Sequence, residues 1–98
     1  MKSNGHILWV DDEIHHLKPH ILFLETKGYI VSTATNGHDA AILNEKNKYD
    51  LILLDQTMPG IDGIDTLKKL KKQRLTMPIV MITKSEDEWL MEEAISHQ

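Results

Sequence analysis

The sequence predicts an α/β fold, a doubly wound parallel sheet of four strands in the order 2-1-3-4. Three observations lead there. Leu51-Ile52-Leu53-Leu54 is an unbroken apolar run that stops on Asp55 and is followed by Met58-Pro59-Gly60. A run without alternation fits a strand buried on both faces of a parallel sheet. Four strand-like stretches, the second with a more polar end, alternate with stretches of helical periodicity through short connections, so the order βαβαβαβα implies right-handed crossovers. Finally, Asp11-Asp12 ends the first run much as Asp55 ends the third. That places the acids at the carboxyl edge, where open α/β sheets bind ligands.

Each element has a local reason. Residues 6–10 (His6-Ile7-Leu8-Trp9-Val10) form strand one. A helix over roughly 13–27 follows, with acids at its positive end and an apolar stripe of Ile14, Leu17, Ile21 and Leu24. Pro19 should kink this helix or loosen its first turns, and Lys27-Gly28 ends it. Strand two covers 29–34 and has the more polar composition of a sheet edge. Asn36-Gly37 turns the chain into a modest helix over 37–46 around Ala40, Ala41 and Leu43. Strand three is 50–55. Asp62 can cap a helix over 63–73 whose inner face is Ile64, Leu67 and Leu70. Ile79-Val80-Met81-Ile82 is strand four, and Ser85-Glu86-Asp87-Glu88 has capping-box spacing for a last helix.

The chain of 98 residues, 41% hydrophobic and 27% charged, suffices for one domain spanning 1–98. A formal net charge of -4 argues against direct nucleic-acid binding. No cysteine is present, so there is neither a disulfide nor a thiolate site. The first apolar run is too short for a signal-peptide core or a membrane span. A cytoplasmic protein is expected.

In the order 2-1-3-4, strands one and three are neighbours about 4.8 Å apart. Asp11 and Asp12 then meet Asp55 at one edge. Three carboxylates so close repel one another, and a hard divalent cation relieves the repulsion. Mg²⁺ prefers oxygen ligands and commonly takes one or two carboxylates plus a phosphate. An Asp beside Mg²⁺ is also a possible nucleophile, able to form an aspartyl phosphate. Thr83, at the end of strand four, can place a hydroxyl on a phosphoryl oxygen. Reading the three acids as mere caps and turn residues leaves their shared edge unexplained.

Asp11-Asp12 after strand one, Asp55 with Met58-Pro59-Gly60, and Thr83 after Ile79-Val80-Met81-Ile82 together resemble the CheY-like receiver domain of two-component response regulators. The wording of Ile7-Leu8-Trp9-Val10-Asp11-Asp12-Glu13 and of Met81-Ile82-Thr83-Lys84-Ser85-Glu86 is similar to the N-terminal receiver of PorX-type regulators of Bacteroidetes. The resemblance implies a flavodoxin-like fold in which Asp55 accepts a phosphoryl group from a sensor histidine kinase. It implies Mg²⁺ bound directly by Asp12 and Asp55, through water by Asp11, and by the backbone carbonyl of Thr57. It makes Thr83 the switch hydroxyl, and the side chains of Thr57 and Ser85 tuners of phosphoryl lifetime. Such a domain assists its own phosphorylation and dephosphorylation and is otherwise not an enzyme.

Two departures stand out. The family pattern has a fifth strand and helix, with a lysine that pairs with the phosphoryl group, and the sequence stops before both. Lys84 follows Thr83 where small residues are usual, and is not expected to replace that lysine. The expected origin is a trimmed longer protein with a C-terminal effector domain; the alternative is a homodimer whose copies share surfaces. The missing lysine supports a competing reading, a receiver-like interaction module that no longer takes phosphate. His16 and His20 lie four apart, a metal-capable spacing, but without an obvious third ligand they read as solvated surface. Lys68, Lys69, Lys71, Lys72 and Arg74 read as the solvated face of their helix. Trp89 and Met91 are candidates for partner contacts.

Overall fold

The computed structural model describes residues 3–56, 63–73 and 77–82. Strands β1 (Gly5–Val10), β2 (Tyr29–Ala34), β3 (Leu51–Asp55) and β4 (Ile79–Ile82) form one sheet in the order β2-β1-β3-β4. All three pairings are parallel. Between them lie helices α1 (Lys18–Thr26), α2 (Gly37–Lys46) and α3 (Gly63–Gln73). This is the doubly wound parallel sheet that the alternation of runs predicts, with the flavodoxin-like order that the resemblance implies. The expected capping box and last helix, and the cap Asp62, lie outside the described residues, as do Arg74, Trp89 and Met91.

Side chains alternate across a strand, so each strand offers one set of residues to each face. Leu8 and Val10 of β1, Ile52 and Leu54 of β3, and Ile79 and Met81 of β4 share one buried cluster with Ala40 and Ala41 of α2 and Leu67 and Leu70 of α3. At about 1.5–3 kcal/mol for each large apolar side chain taken from water, this layer is the main source of stability. The strand β3 is not buried on both faces, as its composition suggests. Leu51 and Leu53, on the face away from α2 and α3, are only half-buried. The physical reason is that α2 and α3 cover the other face, while α1 lies against β2 at the sheet's edge.

The expected helix over 13–27 is two pieces. Ile14–Leu17 is a 3₁₀ turn, and the α-helix proper begins at Lys18 with Pro19 in its first turn. Proline lacks an N–H, and the first turn is where none is needed, so Pro19 starts the α-helix and does not kink it. The stripe Ile14, Leu17, Ile21 and Leu24 is half-buried, while Leu22 and Phe23 face solvent. Gly28 follows the end of α1 at φ 92°, where its N–H donates to Glu25 O at 3.0 Å. The Asn36-Gly37 pair is a helix start: the Asn36 Oδ1 accepts the Asp39 N–H at 2.8 Å.

The amino ends of the strands are tied by a second device. The Asp50 carboxylate accepts the His6 N–H at 2.8 Å, and the Asp50 N–H donates to His6 O at 2.8 Å. This extends the β1–β3 ladder by side chain and fixes its register. The register decides which residues reach the opposite edge together.

Candidate metal and phosphoacceptor site

Val10 pairs with Leu54 across β1 and β3, so Asp11 and Asp55 come level one step further on. Asp55 in turn pairs with Ile82 of β4. Of the four strands, β1 and β3 run into acids at this edge: Asp11 follows β1, and Asp55 is the last residue of β3. Asp11 is anchored twice. Its N–H donates to Ala34 O at 3.0 Å, and its Oδ1 accepts the Glu13 N–H at 2.8 Å. The latter is an Asx-type turn that holds the chain as it leaves β1.

Asp11, Asp12 and Asp55 each offer a carboxylate oxygen, and these oxygens all lie within 4.8 Å of one another. Asp11 and Asp55 are buried, at 4% and 1% exposure, and Asp12 is the most exposed of the three. Oxygens bound to one octahedral Mg²⁺ at about 2.1 Å are separated by about 3–4 Å. The donor set is wholly hard oxygen, and its spread suits such an ion with one acid held through water. The residues present therefore fit Mg²⁺. No other group of three or more such ligands converges among the described residues.

The backbone behind Asp55 is locked in both directions. The Gln56 N–H donates to Ile82 O at 2.8 Å, and the Gly63 N–H donates to Gln56 O at 2.8 Å. A Cβ on Gly63 would lie 2.5 Å from Gln56 Cα and 2.7 Å from Asp55 O. The start of α3 thus touches the backbone of the acid itself, and only glycine permits that. Sequence reasoning began a helix at this residue but gave Gly63 no part in the site. Of the other expected site residues, Thr57, Thr83 and Ser85 lie outside the described residues, and so does Lys84. His16 and His20 do not share one helix, since His16 is in the 3₁₀ turn and His20 in α1. Lys68, Lys69 and Lys72 are exposed as expected, while Lys71 is half-buried and donates to Met77 O at 2.6 Å.

A doubly wound parallel sheet with three carboxylates converging at its carboxyl edge defines a class of α/β domain whose acid cluster fits a hard cation. Known proteins make the class specific. The family model of the response regulator receiver domain matches residues 7–98, and the chain belongs to that family. It is 42% identical over 86 residues to the alkaline phosphatase synthesis transcriptional regulatory protein PhoP of Bacillus subtilis, covering 88% of this chain and 36% of PhoP. It is 39% identical over 82 residues to the transcriptional regulatory protein ResD of the same organism, covering 84% of this chain and 34% of ResD. The chain thus spans about a third of the length of these two relatives. Among solved structures, the Francisella response regulator 1452 receiver domain superposes with a TM-score of 0.84 at 29% identity, covering 95% of this chain and 77% of that one. The regulator TrrA of Thermotoga maritima, solved in complex with Mg²⁺-BeF, gives a TM-score of 0.80 at 32% identity, covering 91% of this chain and 79% of that one. Among the described residues, no helix is long and apolar enough to cross a membrane.

Proposed function

We propose that the chain is a phosphoacceptor receiver in which Asp55 takes a phosphoryl group from a sensor histidine kinase. The observation that carries this reading is the convergence of Asp11, Asp12 and Asp55 within 4.8 Å at the carboxyl edge. A carboxylate oxygen of Asp55 attacks phosphorus, the bond from phosphorus to the donor's histidine nitrogen breaks, and the acyl phosphate forms on Asp55. Asp11, Asp12, Asp55 and the backbone carbonyl of Thr57 would hold Mg²⁺. When bound, the ion offsets negative charge on the phosphoryl oxygens. The locked backbone of Gln56 keeps Asp55 oriented for attack. Thr83 then draws inward on the phosphoryl oxygen and shifts the population of a second conformation. Thr57 and Ser85 set how fast water reaches the acyl phosphate.

Several observations support the reading. The family is one of phosphorylated switches, and TrrA was solved with Mg²⁺ and a fluoroberyllate, a phosphoryl mimic. The wording of 7–13 and 81–86 supports a place among PorX-type regulators, with a C-terminal effector domain in the whole protein and action in the cytoplasm. The test is incubation with acetyl phosphate and Mg²⁺ followed by intact mass. The expected result is a gain of one phosphoryl that disappears with EDTA and in Asp55→Asn. A chain that gains nothing under any of these conditions is an inert interaction module instead.

A further inference from the structure

The sheet ends on one side at β2, and that edge has no neighbouring strand among the described residues. We propose that it docks a second copy of this chain, β2 against β2, antiparallel about a two-fold axis at Val31. Main-chain N–H and C=O groups turn to opposite sides at successive residues of a strand. Ala34 O accepts the Asp11 N–H at 3.0 Å, so Ile30, Ser32 and Ala34 turn theirs to β1. Tyr29, Val31 and Thr33 turn theirs outward. Such an edge is a template for another strand, and proteins commonly guard it with lysine or proline. β2 has neither, and no residue from 29 to 37 is charged. The two-fold sets Val31 opposite itself and Tyr29 opposite Thr33. Each such pair exchanges two main-chain hydrogen bonds, about six in all.

The side chains beside this edge say what covers it. Ala34 belongs to the buried cluster under α2, so Ile30 and Ser32 share its face. Ile30 is 53% exposed, and the pairing sets it opposite Ser32 of the second copy and diagonal to that copy's Ile30. On α2, Asp39, Ile42 and Lys46 follow one another at spacings of three and four, so they form one stripe, and all three are exposed. Asp39 and Ile42 line a cavity of about 340 Å³ with Thr33, Ala34 and Thr35, so the stripe faces the β2 edge. Acid, apolar and base in that order are self-complementary under the same rotation. It turns Asp39 of each copy toward Lys46 of the other, with Ile42 between. A foreign strand would gain nothing from that symmetry of charge, whereas a second copy meets an opposite charge at both ends. An edge of six residues makes a small interface, so the dimer forms with rising concentration. Nothing in this inference rests on the phosphoacceptor reading.

The test is sedimentation of the whole chain over a range of concentrations, from about 1 μM to about 1 mM. The expected result is a monomer–dimer equilibrium. Ile42→Lys and Lys46→Glu each set like charges against one another across the axis, so each should raise the dissociation constant by at least about tenfold. Both side chains are exposed, and circular dichroism should report native folding in both variants. The chain has no cysteine, so Val31→Cys carries a single thiol. Opposite residues of a hydrogen-bonded antiparallel pair have Cα atoms about 5.5 Å apart, within disulfide range, and mild oxidation should cross-link this variant to itself. Lys48→Cys, away from the axis, should not cross-link. Asp55→Asn should dimerise as the natural sequence does. A chain that stays monomeric at about 1 mM overturns the proposal, as does a dimer that neither charged variant weakens. A dimer lost in Asp55→Asn, or one that cross-links at Lys48→Cys and not at Val31→Cys, places the interface elsewhere and overturns it too.

Discussion

Asp11 and Asp55 stand level on neighbouring parallel strands, each one residue past the Val10–Leu54 pair, and both are buried. Two like charges so placed repel by about 3–4 kcal/mol at an effective dielectric of 20. Asp12 adds a third charge within the same 4.8 Å group. A hard cation bound at this edge would offset that cost. The register of β1 against β3, pinned at its far end by His6 and Asp50, is thus what creates the site.

Magnesium should therefore act as a stabiliser as well as a reagent. At ten times its dissociation constant, linkage gives about 1.4 kcal/mol. For a domain of this size that is a rise in Tm of about 6–11 °C. Thermal melts with magnesium and with EDTA check it. Asp55→Asn removes one ligand and one repelling charge, so its Tm should respond far less to the metal. An equal rise in that variant would place the ion elsewhere.

Gly63→Ala should destabilise, although alanine is the better helix former by about 1 kcal/mol. The added Cβ meets backbone at 2.5–2.7 Å, at Gln56 Cα, Asp55 O and Gln56 O. Backbone does not yield as a flexible side chain does, so α3 must move away from β3. Overpacking of this kind costs about 1–3 kcal/mol. Urea unfolding gives the loss. Magnesium affinity should fall with it, because the atoms displaced belong to Asp55.

Much of this was legible in the sequence because apolar runs and periodicity answer directly to a sheet covered by helices. The bounds of β2, α2, α3 and β4 follow their apolar patterns, and the convergence of Asp11, Asp12 and Asp55 follows from strand order. The 3₁₀ turn at Ile14–Leu17 was hidden because spacings of 3 and 4 fit an α-helix equally well. Asn36-Gly37 spells a turn until the Asn36 side chain is seen to cap α2. Nothing in the sequence marks Gly63, whose constraint comes from backbone seven residues earlier. The half-exposed Leu51 and Leu53 were missed because an apolar run says nothing about which face finds cover.

The helices α2 and α3 are joined by a polar bridge inside an apolar layer. Asn44, fully buried, donates from Nδ2 to Gln73 Oε1 at 2.8 Å, and Gln73 Nε2 donates to Ala41 O at 3.1 Å. Removing either side chain strands a polar partner, at about 1–3 kcal/mol. Asn44→Ala and Gln73→Ala should each fall in that range. The double variant should cost less than their sum by about 0.5–1.5 kcal/mol, the coupling expected of residues in direct contact. Additive losses would mean that the two amides act independently.

Tyr49→Phe should leave stability unchanged or raise it. The ring is buried at 6% exposure, and its edge meets His6 with centroids 4.6 Å apart. The hydroxyl oxygen is buried without a hydrogen-bond partner among the described residues. A stranded hydroxyl of this kind costs about 1–3 kcal/mol relative to one that is bonded. Phenylalanine keeps the ring, its contact with His6 and its place in the core, and discards only the unpaired group. The urea midpoint should therefore hold or shift upward by the equivalent of about 1 kcal/mol, with the slope of the transition unchanged. A loss greater than about 1 kcal/mol, the net worth of an ordinary hydrogen bond, would show that the hydroxyl is bonded after all.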